Sequence, residues 1–341
     1  GRAAESTVLL HRPVLRGTVR PGAGQSSEPR RCPLPPPAMH PPLLLSLVII
    51  ALACVSASPQ AFLDSTHNSI SESWRSAWSS ALTRAKPQRQ LGELTTLRSR
   101  ASALMRRRKE PDVEQAVRLL QRACELVDDE KKEPTLCLEA AISLNTLMRI
   151  RTNSNTLHIT RMLDTPEHKK VWREYGPRAL ELATIAKRAR PRDPEALCAY
   201  ADAFFFSTST RGVLKAAVSG SGLQFKANAK ELIAKCPTHD GGIGHCYLGA
   251  FYLMAPWPLH NAQLAEQHLS AAHRLVPSRR NSYYMGVLCF RCGRLREAQD
   301  YFAAAVAAPC NSPSEEDFGD FMAREASDAI RECERRMART E

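Results

Sequence analysis

The chain has 341 residues, of which 43% are hydrophobic and 24% charged, so it is long enough for a globular body or a solenoid of several repeats. After Ala57, 41 basic and 33 acidic side chains leave a net charge of +8. This excess is mild, and no aromatic residues are interleaved with the basic ones. A nucleic-acid partner is therefore not expected.

Residues 1–38 precede the first methionine, are rich in proline and arginine, and show no hydrophobic periodicity. They are expected to be a disordered leader or an upstream translated segment. Taken together with the apolar run that follows, they would also fit a two-part import signal into an organelle lumen.

Residues 39–57 contain an apolar run from Leu43 to Val55, which is shorter than a membrane span and is followed by small residues. This pattern predicts a signal peptide cleaved near Ala57. The mature chain would then have no transmembrane span and would lie in the secretory pathway or an organelle lumen. The alternative is a chain anchored in the membrane by an uncleaved 43–57 segment.

Residues 58–90 are predicted to be an amphipathic helix and a linker, because Ile70, Trp74, Trp78 and Leu82 follow one another at four-residue steps. Such a helix would cap or dock on the body that follows.

Residues 91–310 are predicted to form helix pairs. The first pair is 91–109 with 112–127, and the second is 134–151 with 167–190, separated by a polar insertion at 152–165. The basic cluster Arg106 to Lys109 should close the first helix as a solvated end, where cations complement the helix dipole.

The third pair opens at Asp193-Pro194-Glu195, which is typical of a helix N-terminus. Its second helix, 223–235, comes after a glycine-rich insertion at 207–222. The fourth pair follows at 238–277 with a widened turn around Trp257, and the fifth occupies 277–310.

The fifth pair carries the clearest repeat pattern. Gly286 is followed at twelve, sixteen and nineteen positions by Ala298, Phe302 and Ala305, with Gly293 between the two helices. Small residues stand where helices must approach closely, and the large one fills the remaining space. This spacing resembles the tetratricopeptide repeat (TPR).

The predicted fold class is therefore all-α, a right-handed superhelix of about four to five antiparallel helix pairs with extra N- and C-terminal helices. Residues 311–341 are predicted to form a capping helix that begins at Ser312-Pro313-Ser314-Glu315 and runs to about Arg339. Its apolar stripe, which includes Phe318 and Met322, must be covered by another part of the protein.

Three stretches, DGGIGHCYLGAFYLMAPWP, RRNSYYMGVLCFRCGRLREAQDYF and PCNSPSEEDF, add a second resemblance. From about Asp193 to Met337 the chain resembles the T-component of bacterial TRAP transporters and, more distantly, the regulators of microtubule dynamics. The resemblance implies a helical-repeat body with a groove or pore. The resemblance to the T-component further implies an extracytoplasmic setting and an apolar small ligand.

The concave groove of such a body would be apolar. If the first helices line it, positions around Ala201, Gly249 and Gly286 face the ligand, and most of them are apolar or aromatic. The candidate binding residues are Cys198, Phe205, Phe206, Cys246, Leu253, Met254, Tyr283, Val287 and Phe290. A protein segment or an apolar small ligand is expected there, or else the chain's own N- or C-terminal helix fills the groove.

The alternative function is an enzyme or a metal- or phosphate-binding protein with a site near the Asp240–Gly244 loop, flanked by His239 and His245. Glycines at a helix start can expose amides to phosphate, but close helix packing explains them as well. No nucleophile and base, metal-ligand set or phosphate motif accompanies them. No catalytic residue, metal or cofactor is therefore predicted.

Nine cysteines follow the predicted signal peptide, and most of them fall on predicted helices beside Ala or Leu. This favours packing as buried free thiols. Cys289 and Cys292 form a C-x-x-C without the second pair of a zinc site. In an oxidising lumen, one or two of the cysteine pairs could instead form disulfides. A homo-oligomer is also compatible with such a helical body.

Overall fold

The computed structural model of the chain describes residues 90–127, 133–153, 157–159, 165–211 and 220–339. The predicted leader, the signal peptide, the Trp74 and Trp78 helix and half of the 207–222 insertion lie outside the described residues. Within them the chain has twelve α-helices and no β-strand, which confirms the all-α class. No helix of this part is both long and apolar enough to cross a membrane.

The helices are α1 (residues 90–105), α2 (Glu110–Glu125), α3 (Pro134–Thr152), α4 (Pro166–Ala189), α5 (Pro194–Thr208), α6 (Ser221–Lys235), α7 (Ile243–Met254), α8 (Ala262–Leu275), α9 (Arg279–Arg291), α10 (Leu295–Ala307), α11 (Pro313–Glu316) and α12 (Gly319–Met337). Two 3₁₀ turns, Ser209–Arg211 and His239–Gly241, extend α5 and precede α7.

Proline and side-chain caps determine where many of these helices begin. Proline stands in the first two positions of α2, α3, α4, α5 and α11, where a missing N–H costs no intrahelical hydrogen bond. Asp193 caps α5 by accepting a hydrogen bond from the backbone N–H of Glu195 at 3.0 Å. The predicted start of the third pair is thus confirmed.

From α2 to α10 each helix packs against the next one in the chain. Helix α3 also packs on α5, and α12 packs on both α9 and α10. The buried apolar side chains form two large clusters, one drawn mainly from α1 to α5 and the other from α5 to α12. Neighbours in sequence are therefore neighbours in space along the described helices.

Small residues allow the close helix contacts that the repeat pattern predicts. A Cβ on Gly286 would lie 2.5 Å from the Phe302 ring, and one on Gly249 would lie 2.6 Å from the Leu269 side chain. Both distances are far below van der Waals contact. The pairing of a small residue on one helix with a large residue on the next is therefore confirmed at α9/α10 and at α7/α8.

The C-terminal helix is not continuous, and here the sequence prediction is wrong. Ser312 caps the short helix α11 by accepting from the N–H of Glu315 at 3.3 Å, but the helix stops after Glu316. The chain resumes as α12 only at Gly319. In a capping box the carboxylate of Glu315 would accept from the N–H of Ser312, but it accepts instead from the backbone N–H groups of Asn311, at 2.7 Å, and Arg280. One local and one long-range hydrogen bond thus replace the capping box.

Candidate functional site

The predicted groove residues are largely covered by the chain itself. Seven of the nine are buried, and Phe205 and Met254 are half-buried. Helix α12 covers two of them, since the Tyr283 hydroxyl donates a hydrogen bond to Glu325 and the Arg336 guanidinium stands 4.4 Å above the centre of the Phe290 ring.

The remaining predicted groove residues are placed among helices α4 to α9. Phe206 packs near Trp172, with ring centres 6.4 Å apart, and Phe205 lies near Phe225 at 5.8 Å. The Cys246 thiol contacts the amide oxygen of Asn281 at 3.1 Å. Cys198, Leu253 and Val287 belong to the cluster from α5 to α12, and Met254 packs against it. Cys198 lines an open cleft, whereas Phe205 and Phe206 line a smaller pocket.

The segment 157–159, from the predicted polar insertion, also packs against α9 and α12. Leu157 and His158 are completely buried. Arg291 donates to the backbone carbonyl of His158 at 3.0 Å across 133 positions of sequence, and the His158 ring lies 5.8 Å from that of Phe321 on α12. This part of the insertion therefore packs between α9 and α12.

A buried ion-pair network crosses the middle of the described helices. Arg149 on α3 donates to Asp202 on α5 and to Asp317 before α12, both at 2.7 Å. Arg108 reaches the second oxygen of Asp317 at 3.2 Å. The Asp317 side chain has no exposed surface. The network therefore ties the first helix pairs to a residue 168 positions further along the chain.

Burial and pairing compete in this network. Burial acts to lower the pKa of Arg149, but the carboxylates of Asp317 and Asp202 outweigh it and raise that pKa. Burial raises the pKa of Asp202 and of Asp317, and the Arg149 guanidinium opposes the rise. The hydroxyl of Tyr247 donates a further hydrogen bond to Asp202. Arg149 is thus the cation on which both carboxylates depend.

A second network joins the turn before α7 to the start of α9 and α11. Arg280 pairs with Asp240 at 3.3 Å, and Ser314 donates to the same carboxylate at 2.5 Å. Burial acts to raise the pKa of Asp240, but Arg280, Ser312 and Ser314 outweigh it and hold this pKa below its ordinary value. Asp240 is therefore held as a carboxylate.

An open cleft of about 420 Å³ lies between the two networks. Its walls are α3, α5, the His239–Gly241 turn and the segment that leads into α11. The lining residues are Arg108, Ile142, Asn145, Arg149, Glu195, Cys198, Ala199, Asp202, Thr238, His239, Asp240, Gly241, Val276, Asn311, Ser312, Pro313 and Ser314. Eleven of these seventeen residues have polar or charged side chains, although apolar atoms make up the larger part of the exposed lining. The cleft is therefore mixed in character, unlike the predicted groove, whose residues are mostly apolar or aromatic.

Sequence reasoning missed most of the charged residues of this cleft. Arg108 was expected at a solvated helix end, and that prediction is wrong for Arg108. The helix ends at residue 105, the Arg108 backbone is left-handed at φ +53°, and its side chain, 14% exposed, turns inward to Asp317. One sequence signal pointed to Arg149, because it stands four residues after Asn145 and therefore on the same face of α3.

The residues of the alternative site do not come together as a catalytic group. His239 and Asp240 line the cleft, whereas the Nδ1 atom of His245 faces that of His268 at 3.1 Å. Burial raises the pKa of the Cys198 thiol well above its usual value, which disfavours the thiolate. Among the described residues, no group of three or more histidine, cysteine or acidic side chains could hold a metal.

Gly244 lies where α7 packs closely on α6. A Cβ on Gly244 would lie 3.0 to 3.1 Å from atoms of Leu232 and Ile233, so this glycine serves close helix packing.

The nine cysteines in the part of the chain that the structure describes are all free thiols. In the C-x-x-C, Cys289 is buried and Cys292 is exposed.

No protein-family model matches the chain, and a search of the curated proteins finds no match. The class of protein must therefore be argued from the helices and the cleft alone.

Proposed function

We propose that the protein is a non-enzymatic helical-repeat binding protein, a TPR-like right-handed α-solenoid of four to five helix pairs, that holds an extended polypeptide segment. The single observation that carries this proposal is the open 420 Å³ cleft against α3 and α5, the first helices of two successive pairs. In stacked helical pairs this is the side on which extended ligands bind.

The polar lining supports a polypeptide as the ligand. The cleft offers side chains that donate, such as Ser312, and side chains that accept, such as Glu195, over an apolar floor that includes Ile142 and Val276. A peptide backbone presents both donors and acceptors and needs partners for both. An apolar ligand would leave these polar groups without partners, at a cost in free energy.

An apolar small ligand is the second candidate, and the resemblance to the T-component favours it. The observation in its favour is the apolar face around Val287 and Phe290, which α12 covers. Such a ligand would have to displace α12 from this face. It therefore competes with the chain's own C-terminal helix, whereas a segment in the cleft does not.

The test uses the full chain on an array of ten-residue peptides of defined sequence. Glu195 and Thr238 are exposed at the mouth of the cleft, so Glu195→Trp and Thr238→Trp should fill it without disturbing the fold. We expect both variants to lower peptide affinity at least tenfold. Ala234→Trp, an exposed change on α6 outside the cleft, is the matched control and should bind as the unaltered chain does.

If peptides bind equally to all four proteins, the cleft is not the site. If no peptide binds and mass spectrometry of the denatured protein releases an apolar molecule, the second candidate replaces the first.

A further inference from the structure

The cleft carries more negative than positive charge. The lining residues and the groups bonded to them together include five carboxylates and three guanidinium groups, of which Glu315, Asp317 and Arg280 lie behind the lining. The carboxylates are those of Glu195, Asp202, Asp240, Glu315 and Asp317, and the guanidinium groups are those of Arg108, Arg149 and Arg280. The formal balance is therefore two negative charges in excess.

The positive groups are already engaged. Arg149 is shared between Asp202 and Asp317, Arg108 turns to Asp317, and Arg280 pairs with Asp240. An anion that entered the cleft would have to compete with these carboxylates for each guanidinium. Within the described part of the chain, the charge that lacks a counterion is negative, and Glu195 at the rim is part of it.

An independent observation is the amide of Asn145, which lines the cleft and is 1% exposed. Its nitrogen donates to the backbone carbonyl of Ala199 at 2.9 Å, which fixes the orientation of the group. Its oxygen has no hydrogen-bond partner among the residues that the structure describes. A buried carbonyl oxygen without a partner costs free energy, so a bound donor would be stabilised there.

Both observations call for a cation that donates hydrogen bonds. A metal ion does not fit, because the described chain holds no group of three or more histidine, cysteine or acidic side chains suited to one. A primary ammonium group donates three hydrogen bonds and carries one positive charge on a flexible stem, and the floor of the cleft offers apolar surface for that stem.

We infer that this cleft recognises a primary alkylammonium group, carried by a lysine side chain of the bound polypeptide, through the Asn145 oxygen and the Glu195 carboxylate. The inference rests on the proposed function, since it names the side chain of the segment that the cleft would select.

The experiment is calorimetric titration of the full chain with Nα-acetyl-lysine N-methylamide. Nα-acetyl-norleucine N-methylamide, which has nearly the same shape without the charge, is the matched probe, and the glutamate analogue reverses the charge. Pentane-1,5-diamine tests the ammonium group without a peptide backbone. We expect the lysine compound to bind at least tenfold more tightly than the norleucine compound, and less tightly as salt is raised.

Two variants connect this binding to named groups. Glu195→Gln removes one exposed charge and should weaken lysine binding about threefold. Asn145→Leu removes the unpartnered oxygen and should weaken it at least tenfold. Asn228→Leu, which replaces another buried asparagine outside the cleft, is the control for any loss of folding.

Equal binding of the lysine and norleucine compounds, tighter binding of the glutamate compound, or unchanged lysine binding in both cleft variants would overturn the inference. If arrayed peptides bind regardless of lysine, the inference fails while the proposed function stands. If the lysine compound or the diamine binds but no peptide does, the ammonium site stands and the proposed function fails.

Discussion

At the scale of single residues, Arg149 determines more of this fold than its place on an apolar helix indicates. It is the shared partner of two buried carboxylates that come from α5 and from the break before α12. Breaking a buried ion pair by removing one partner leaves an uncompensated charge in a medium that solvates it poorly. The guanidinium of Arg108 lies on the far side of Asp317 and does not reach Asp202 in any contact that the structure gives.

We predict that Arg149→Met lowers the free energy of unfolding by about 3 to 5 kcal/mol at pH 7. Without the guanidinium, the pKa values of Asp202 and Asp317, already raised by burial, rise further. A raised carboxyl pKa in the folded state makes stability fall as pH increases, so the deficit of the variant should be smaller at pH 5 than at pH 7. Urea titrations at the two pH values measure both effects.

Arg331→Met is the matched control, because Arg331 pairs with Asp328 on the exposed side of α12, where both side chains are about two-thirds exposed. Exposed pairs contribute about 0 to 1 kcal/mol. Equal losses in the two variants, or a deficit that does not change with pH, would contradict the account of Arg149.

At the scale of helices, the approach of α9 to α10 depends on a missing side chain. Because Gly286 has no Cβ, the Phe302 ring can pack against its backbone. A Cβ built on Gly286 would lie 2.5 Å from the nearest atom of that ring. Phe302 is completely buried, so its ring cannot move into solvent to make room. Interiors are packed to the density of organic crystals, and an added methyl group must displace its neighbours.

We expect Gly286→Ala to cost about 1 to 3 kcal/mol by overpacking, even though alanine is the better helix former. In the double variant with Phe302→Leu, the smaller side chain makes room for the methyl group. The two changes together should therefore cost clearly less than the sum of their separate losses. Thermal or urea unfolding of the four proteins gives this coupling energy.

Gly92→Ala on α1 is the control, because nothing lies within 4 Å of a Cβ placed there. Only the higher helix propensity of alanine should then act, and the free energy of unfolding should rise by up to about 1 kcal/mol. Additive losses at Gly286 and Phe302 would show that the close approach does not limit the packing of α9 on α10.

At the scale of the described molecule, the C-terminal segment covers apolar side chains of α9 and α10. Helix α12 buries Met322, Ala326 and Cys333 and packs on both α9 and α10. Its entry is held by Glu315 and Asp317, whose partners lie on α9, α3 and the turn before α2. The cover is therefore fixed both by apolar burial and by charge.

A chain that ends after Cys310 should expose the apolar face around Tyr283 and Phe290. We expect it to bind the dye ANS strongly and to unfold with lower cooperativity, while much of its helical circular dichroism is kept. A chain that ends after Ala338 removes only residues beyond α12 and should behave as the full chain does. Absence of dye binding in the shorter chain would show that α12 does not cover an apolar surface.

The sequence by itself determined the helices and their partners along the chain. Proline and acidic residues at helix starts, small residues at Gly286 and Gly249, and period-3.6 apolar stripes act within one or two turns or between consecutive helices. The helix boundaries therefore agree with the prediction to within a few residues, apart from the break after Glu316. These signals are local, and local physics can be read from a sequence.

Only the tertiary structure decided which parts of the chain cover the predicted groove residues and where the cleft opens. The predicted groove residues are mostly apolar, but that character alone could not show that helix packing, α12 included, would bury seven of the nine. Arg108, Arg149 and Asp317 meet across as many as 209 positions, and no periodicity links them. A buried charge is stable only beside its partner, and which distant residue supplies that partner depends on how the helices stack.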